Sequence, residues 1–205
     1  MGVRPHDLLR LRTPAALEAV DAPDWVARSL AAAPWVVVRR AGFVRGRIAV
    51  GVRGNSRAER FAAVVAEAAV AERLSPEDLR DRPPPRAHPA FAALAQLGPV
   101  LDAAGLPGGP AGAAGYELAT GRPALTAASD LDLVLRFDGV PDMAALAAVS
   151  AAAARAPLRV DLVVETPAGA VALDELLGDS PQVLLRTPQG PRLASHAELW
   201  VTATC

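Results

Sequence analysis

The stretch SDLDLVL, Ser129 to Leu135, alternates two carboxylates with leucines in a run that otherwise reads as a buried β-strand. Successive residues of a strand point to opposite faces. Asp130 and Asp132 therefore share one face, and Leu131, Leu133 and Leu135 the other. An unpaired carboxylate is costly to bury, and two on one face add like-charge repulsion. Two arrangements tolerate the pair. Either that face lies in solvent at a sheet edge, or a cation neutralises it. Mg²⁺ suits the second arrangement, because it prefers carboxylate oxygen and takes phosphates as further ligands.

The segments around this strand read as a small sheet with helices. AFAALAQLGPVLDAAG, from Ala90, is helical and interrupted at Pro99. LPGGPAGAAG is a glycine-rich loop, and AGAAGYELATG is a short helix ended by Gly121. After the strand, PDMAALAAVSAAAARA is a helix beginning at Pro141, and LRVDLVVETP is a second buried strand. AGAVALDELLG turns into a short helix, and QVLLRTPQGPRL is a further strand ending in a turn. The order predicts an α+β fold with a small mixed β-sheet flanked by helices.

Upstream, APDWVARSLAAAP predicts a short helix between Pro23 and Pro34, and WVVVRRA with RIAVGVRG predicts a hairpin. NSRAERFAAVVAEAAVAERL predicts a long helix capped by Asn55 or Ser56, with Phe61, Val64, Val65 and Ala68 as its apolar stripe. Ser75 caps a further helix start at SPEDL. Pro83 to Pro85 form a stiff connector. They separate a small N-terminal α/β domain, residues 1–82, from a second domain, residues 87–205.

Composition narrows the function. Hydrophobic residues make up 52% of the 205, enough for a substantial core, and the formal net charge of -1 argues against a general nucleic-acid binder. All basic residues are arginine. The single cysteine, Cys205, cannot form an internal disulfide, which suits a reducing compartment. The N-terminus lacks a signal-peptide pattern, and no apolar run approaches the ~20 residues that span a bilayer. A cytoplasmic protein without nucleic-acid or membrane partners is expected.

Three features favour a cation over a solvated edge. A glycine-rich segment and a helix start precede the strand, where backbone N–H groups can cradle phosphate. RVDLVVE adds Asp161 and Glu165 on one face of another buried strand. Ser129 stands just before the pair. Three carboxylates on adjacent strands beside a phosphate loop make a two-metal phosphoryl- or nucleotidyl-transfer site. Arg53, Arg57 and Arg60 fall about one turn apart around the start of the helix predicted from residue 55. They read either as a solvated face or as an anion site. The macrodipole disfavours cations at a helix start, which favours the anion site. Arg39, Arg40, Arg186 and Arg192 are further candidates for substrate contact, whereas His6 and Asp7 read as a helix start and His88 and His196 receive no role.

AGAAGYELATGRPALTAASDLDLVL resembles the catalytic segment of the polymerase-β-type nucleotidyltransferase superfamily, which pairs a glycine-bearing helix start with an Asp-x-Asp strand. More narrowly, the chain is similar to the phosphoribosyl-dephospho-CoA transferases of malonate decarboxylase, the holo-acyl-carrier-protein synthase family. The resemblance runs through RPHDLL from Arg4, VVVRRA from Val36, VGVRG from Val50, TG at Thr120 with SDLDL from Ser129, VDLVVETPAGAVAL from Val160 and LLRTPQGPRL from Leu184. It departs at Gly112-Ala113, where the family usually has Gly-Ser, and at Tyr116, where tryptophan is common.

The resemblance implies transfer of triphosphoribosyl-dephospho-CoA to a serine of an apo acyl carrier subunit of malonate decarboxylase, with release of pyrophosphate. It implies Mg²⁺ held by Asp130 and Asp132, with Asp161 as a further metal ligand or as general base. Gly112 and Ser129 would bind the pyrophosphate, and Arg53, Arg57 and Arg60 the substrate. Two alternatives are another nucleotidyltransferase acting on a small molecule or protein, and a catalytically degenerate, carrier-binding member.

Overall fold

Six strands precede the triple proline and six follow it among the residues described by the computed structural model, 2–42, 44–56 and 58–201. Arg57 and Cys205 lie outside the described residues. Strands β1 (Leu8–Leu11), β2 (Leu17–Glu18), β3 (Trp35–Val38), β4 (Arg47–Arg53), β5 (Arg60–Ala66) and β6 (Val70–Leu74) form one sheet in the order β2-β5-β4-β3-β1-β6. Helix α1 (Asp24–Ala32) lays Val26 and Leu30 on one face of it, against Leu9, Leu11, Val36, Val50 and Val65. Strand alternation sends Leu8, Trp35 and Leu74 the other way, into the core of the second half.

The helix expected over residues 55–74 is absent, and the segment is β5 and β6 instead. Its alanines favour helix, but Val64, Val65 and Val70 favour a pleated surface. A period of two competes with the helical stripe, and pairing decides between them. Ile48 faces Val65, Val50 faces Ala63 and Val52 faces Phe61 across the β4–β5 ladder. The arginines read as a helix start are rearranged accordingly: Arg53 and Arg60 are cross-strand partners.

After α2 (Pro76–Arg80), which precedes the triple proline, the second half contains α3 (Pro89–Ala103), β7 (Gly108–Pro110), α4 (Gly112–Thr120) and β8 (Leu131–Arg136). It continues with α5 (Met143–Ala153), β9 (Val160–Thr166), β10 (Gly169–Ala172), α6 (Leu173–Leu176), β11 (Gln182–Thr187) and β12 (Gly190–Ser195). The strands form a mixed sheet in the order β12-β11-β10-β9-β8-β7. Only β8 and β9 are parallel, joined by the crossover through α5. The chain thus has the expected α+β class, with a mixed sheet flanked by helices.

Two local expectations change. Helix α3 continues through Pro99, because buried Leu97 and Leu101 anchor both sides of it in the core. The first part of the glycine-rich segment is the edge strand β7 and not a loop. On β8, Leu131, Leu133 and Leu135 are fully buried against the helices, each contributing about 1.5–3 kcal/mol. Asp132, Val134 and Arg136 face the first sheet.

A buried ion network joins the halves. His6 and Asp7 do not start a helix: His6 has φ 72° and Asp7 leads into β1. The Asp7 carboxylate, fully buried, lies 2.8 Å from Nη1 of Arg136 and 3.3 Å from Nη1 of Arg73, and accepts the Arg4 N–H at 3.0 Å. Arg136 also reaches Glu77 at 3.3 Å and donates to the Pro5 carbonyl. Residue types that lower helix propensity and tolerate positive φ thus serve the junction. No helix among the described residues is long and apolar enough to cross a membrane.

Candidate active site

Asp132 and Asp161 stand side by side. They are Cα partners in the parallel β8–β9 ladder and so share one sheet face. Both are half-buried, and Asp130, also half-buried, stands immediately before β8. The carboxylates are therefore neither in the hydrophobic core nor on an outer edge. They line the face on which the first half of the chain sits. Asp161 accepts from Nε of Arg159 at 2.8 Å.

Among the described residues, no group of three His, Cys, Asp or Glu is placed to hold a metal ion. Mg²⁺ does not need such a cage, since it commonly binds one or two carboxylates and completes its shell with water and substrate phosphates. A pair of hard oxygen donors beside free backbone N–H groups fits that mode.

Those N–H groups belong to α4. Gly112 opens the helix with φ 54°, and a Cβ there would fall 1.8 Å from Oδ2 of Asp132. Only glycine admits both that backbone conformation and the contact. The Ala111 N–H donates to the Asp132 carbonyl at 2.9 Å, tying the helix start to the strand. No side chain caps α4, so its first amides point outward as donors for an anion.

Arg53 approaches from the first sheet. It donates to the Ala124 carbonyl at 3.0 Å, and its guanidinium lies 6.0 Å from the centre of the Tyr116 ring. Burial and nearby Arg60 lower its pKa, while Tyr116, Asp132 and Glu117 act in the opposite direction. Burial raises the Tyr116 pKa, against the effect of Arg122 and Arg53. Arg60 donates to the carbonyls of Ser56 at 3.1 Å and Glu59 at 3.0 Å. Arg53 is near enough to Asp132 to feel its charge, and Arg53 and Arg60 stand on a strand pair and not at a helix start, while Arg57 falls outside the described residues. The Ser129 hydroxyl accepts from the Thr126 N–H at 2.9 Å, closing a turn just before Asp130.

Sequence reasoning missed Glu117, which organises this turn. Its fully buried carboxylate takes Nε of Arg86 at 2.6 Å and the N–H groups of Ala124 at 2.8 Å and Leu125 at 2.9 Å. Arg86 also donates to the Leu125 carbonyl at 2.9 Å. His88, given no role from sequence, caps α3 by accepting the Ala90 N–H at 3.1 Å, with its other ring nitrogen 3.2 Å from the Thr126 carbonyl. A glutamate in a helix two residues from a Gly-x-x-Gly start is the one available signal; its partners are distant in sequence.

Burial pushes the Glu117 carboxyl up, but Arg86 and the two N–H groups outweigh it and hold the pKa below its usual 4.5. The lowered folded value stabilises the fold above the ordinary carboxylate range, and this is lost as pH falls through the folded value. Glu117→Gln is expected to cost about 1.5–3 kcal/mol near neutrality. The gap between wild-type and variant thermal midpoints should close on acidification. A gap that stays constant with pH would contradict this role.

Two family models cover the chain. The phosphoribosyl-dephospho-CoA transferase MdcG N-terminal domain matches residues 4–76, and the C-terminal domain of the same family matches residues 77–197. Curated relatives named phosphoribosyl-dephospho-CoA transferase align over nearly the whole length. One from Pseudomonas putida is 45% identical over 203 residues, covering 98% of this chain and 97% of that one. One from Pseudomonas aeruginosa is 44% identical, covering 94% and 92%. One from Azotobacter vinelandii is 45% identical, covering 93% and 92%. No solved structure matches the chain.

Proposed function

The chain belongs to the phosphoribosyl-dephospho-CoA transferase MdcG family, and we propose that it moves a phosphoribosyl-dephospho-CoA group from its triphosphate form to a serine hydroxyl of the apo acyl carrier subunit of malonate decarboxylase. The observation that best supports this reading is the contact of Asp132 with the Gly112 helix start, beside Asp161. It puts hard carboxylate donors and phosphate-binding amides in one place.

In this reading Asp130 and Asp132 would hold Mg²⁺, which would supply charge neutralisation on the phosphates. The opening amides of α4 bind the departing pyrophosphate, and Arg53 and Arg60 add positive charge from the other side. Ser129 and the turn fixed by Glu117 and Arg86 set the entry to β8. The serine Oγ bonds to the α-phosphorus as the bond to pyrophosphate breaks. Asp161 receives the hydroxyl proton and passes it to solvent. Arg159 orients the Asp161 carboxylate for this role. Residues 87–205 carry the chemistry, and residues 1–82 bind carrier and substrate, in the cytoplasm.

A coupled assay of pyrophosphate release tests this. Release should require the apo carrier, Mg²⁺ and triphosphoribosyl-dephospho-CoA together. Release that persists without carrier when a small alcohol is supplied would instead indicate nucleotidyl transfer to a small molecule.

A further inference from the structure

The face that carries Asp132 and Asp161 continues into a basic cavity. In-register pairing sets Arg136, Glu165, Ala170 and Arg186 in one row across β8 to β11. Asp161, Val163 and Glu165 alternate onto that face of β9. The end of β3 and the segment before β1 lie over it, leaving a half-open cavity of about 350 Å³. Val163 is in the cavity wall, two residues or about 7 Å along the strand from Asp161. The cavity shares Pro5, Val38, Arg39 and Arg40 with a larger cleft of about 1200 Å³.

The charges in this cavity do not cancel. Its lining includes three arginines, Arg39, Arg40 and Arg186, with the His6 ring beside them. The nearest carboxylate, buried Glu165, pairs with Arg40 and lies 3.3 Å from Nε2 of His6. Arg39 and Arg186 make no ion pair or side-chain hydrogen bond among the described residues. In the larger cleft, by contrast, Arg4, Arg47 and Arg192 are matched by Asp138, Glu18 and Glu198. Arg39, next to the first sheet, and Arg186, on the second, thus both line one cavity without a carboxylate partner among the described residues. His6 adds a donor there from a left-handed backbone conformation that non-glycine residues rarely adopt.

We propose that this cavity is a second anion site, which binds the diphosphate of the dephospho-CoA moiety while the Asp132–Gly112 site holds the reacting triphosphate. The inference rests on the proposed function for its substrate. That substrate carries two phosphate groups separated by two ribose rings, and the protein offers two cationic sites on one sheet face. The Asp161 and Glu165 rows are about 13 Å apart. Fork-shaped guanidinium groups suit a diphosphate, which accepts bidentate hydrogen bonds.

The test is calorimetric titration of wild type and an Arg39→Ala/Arg186→Ala variant with dephospho-CoA, and separately with tripolyphosphate and Mg²⁺. Both arginines are exposed, so the variant should fold normally; its thermal midpoint checks this. Dephospho-CoA affinity should fall at least about tenfold, with tripolyphosphate affinity unchanged. No binding to wild type, an unchanged dephospho-CoA affinity, or an equal loss for both ligands overturns the proposal. A variant that keeps dephospho-CoA affinity but shows a raised KM for the carrier also overturns it, and assigns the arginines to the carrier. Carrier modification by wild type separates the two readings. Modification with unchanged dephospho-CoA affinity removes the second site alone. A selective loss of that affinity without modification by wild type removes the proposed function alone.

Discussion

Asp132→Asn is expected to lower the proposed prosthetic-group transfer by about a thousandfold or more, since a metal held there would supply several kcal/mol of barrier reduction. The same substitution leaves the thermal midpoint unchanged or raises it. Asp132 and Asp161 are cross-strand partners on one face, and like charges directly opposite destabilise a sheet. Asparagine keeps the shape beside Gly112 and removes that repulsion. Activity and stability should therefore move independently, which distinguishes a carboxylate kept for chemistry from one kept for folding. Asp130→Asn should behave alike. Intact-mass measurement of the carrier gives the rate, and calorimetry with and without Mg²⁺ gives the midpoint. Near wild-type transfer by Asp132→Asn would show that this strand is not the reacting one.

Arg136→Met has the opposite signature. Arg136 is 4% exposed and its partner Asp7 is 0% exposed, so removing the guanidinium strands a buried carboxylate. Breaking a buried pair from one side typically costs about 3–5 kcal/mol. For a chain of this size that is a fall in thermal midpoint of roughly 10 °C. Replacing both partners, Arg136→Met with Asp7→Leu, should recover much of the loss, because neither fully buried charge then remains. Arg73 and Glu77, which reach the same network, limit the recovery. Thermal unfolding of the single and double variants measures this. A midpoint shift of only a degree or two in Arg136→Met would mean that the junction is not held by these charges.

The strand at 131–136, the short helix ended by Gly121 and the capped helix start at Ser75 are all visible in the sequence, because each depends on neighbours within a few positions. The segment at 55–74 was not. Its alanine-rich pattern satisfies a helical stripe locally, and only the ladder with β4 makes it a strand. That expectation also places Arg60 on a helix, whereas it pairs across the ladder with Arg53, which lies on a strand as its sequence run predicts. The importance of Gly112 was legible as a glycine before a helix. The reason for it, a carboxylate where a Cβ would stand, required coordinates. Asp7 and Arg136 are far apart in sequence, and so are Glu117 and Arg86. No local pattern announces such pairs, which is why His6 and Asp7 read as a helix start and Glu117 carries no expectation.

The central claim is that this chain modifies a carrier protein at serine. Incubating the apo acyl carrier subunit with the enzyme, Mg²⁺ and triphosphoribosyl-dephospho-CoA, and weighing the intact carrier, tests it most directly. The account predicts a mass gain equal to one phosphoribosyl-dephospho-CoA group, mapped to a serine, with one pyrophosphate released for each carrier modified. A carrier of unchanged mass, while a known enzyme of this family modifies the same preparation, would contradict it.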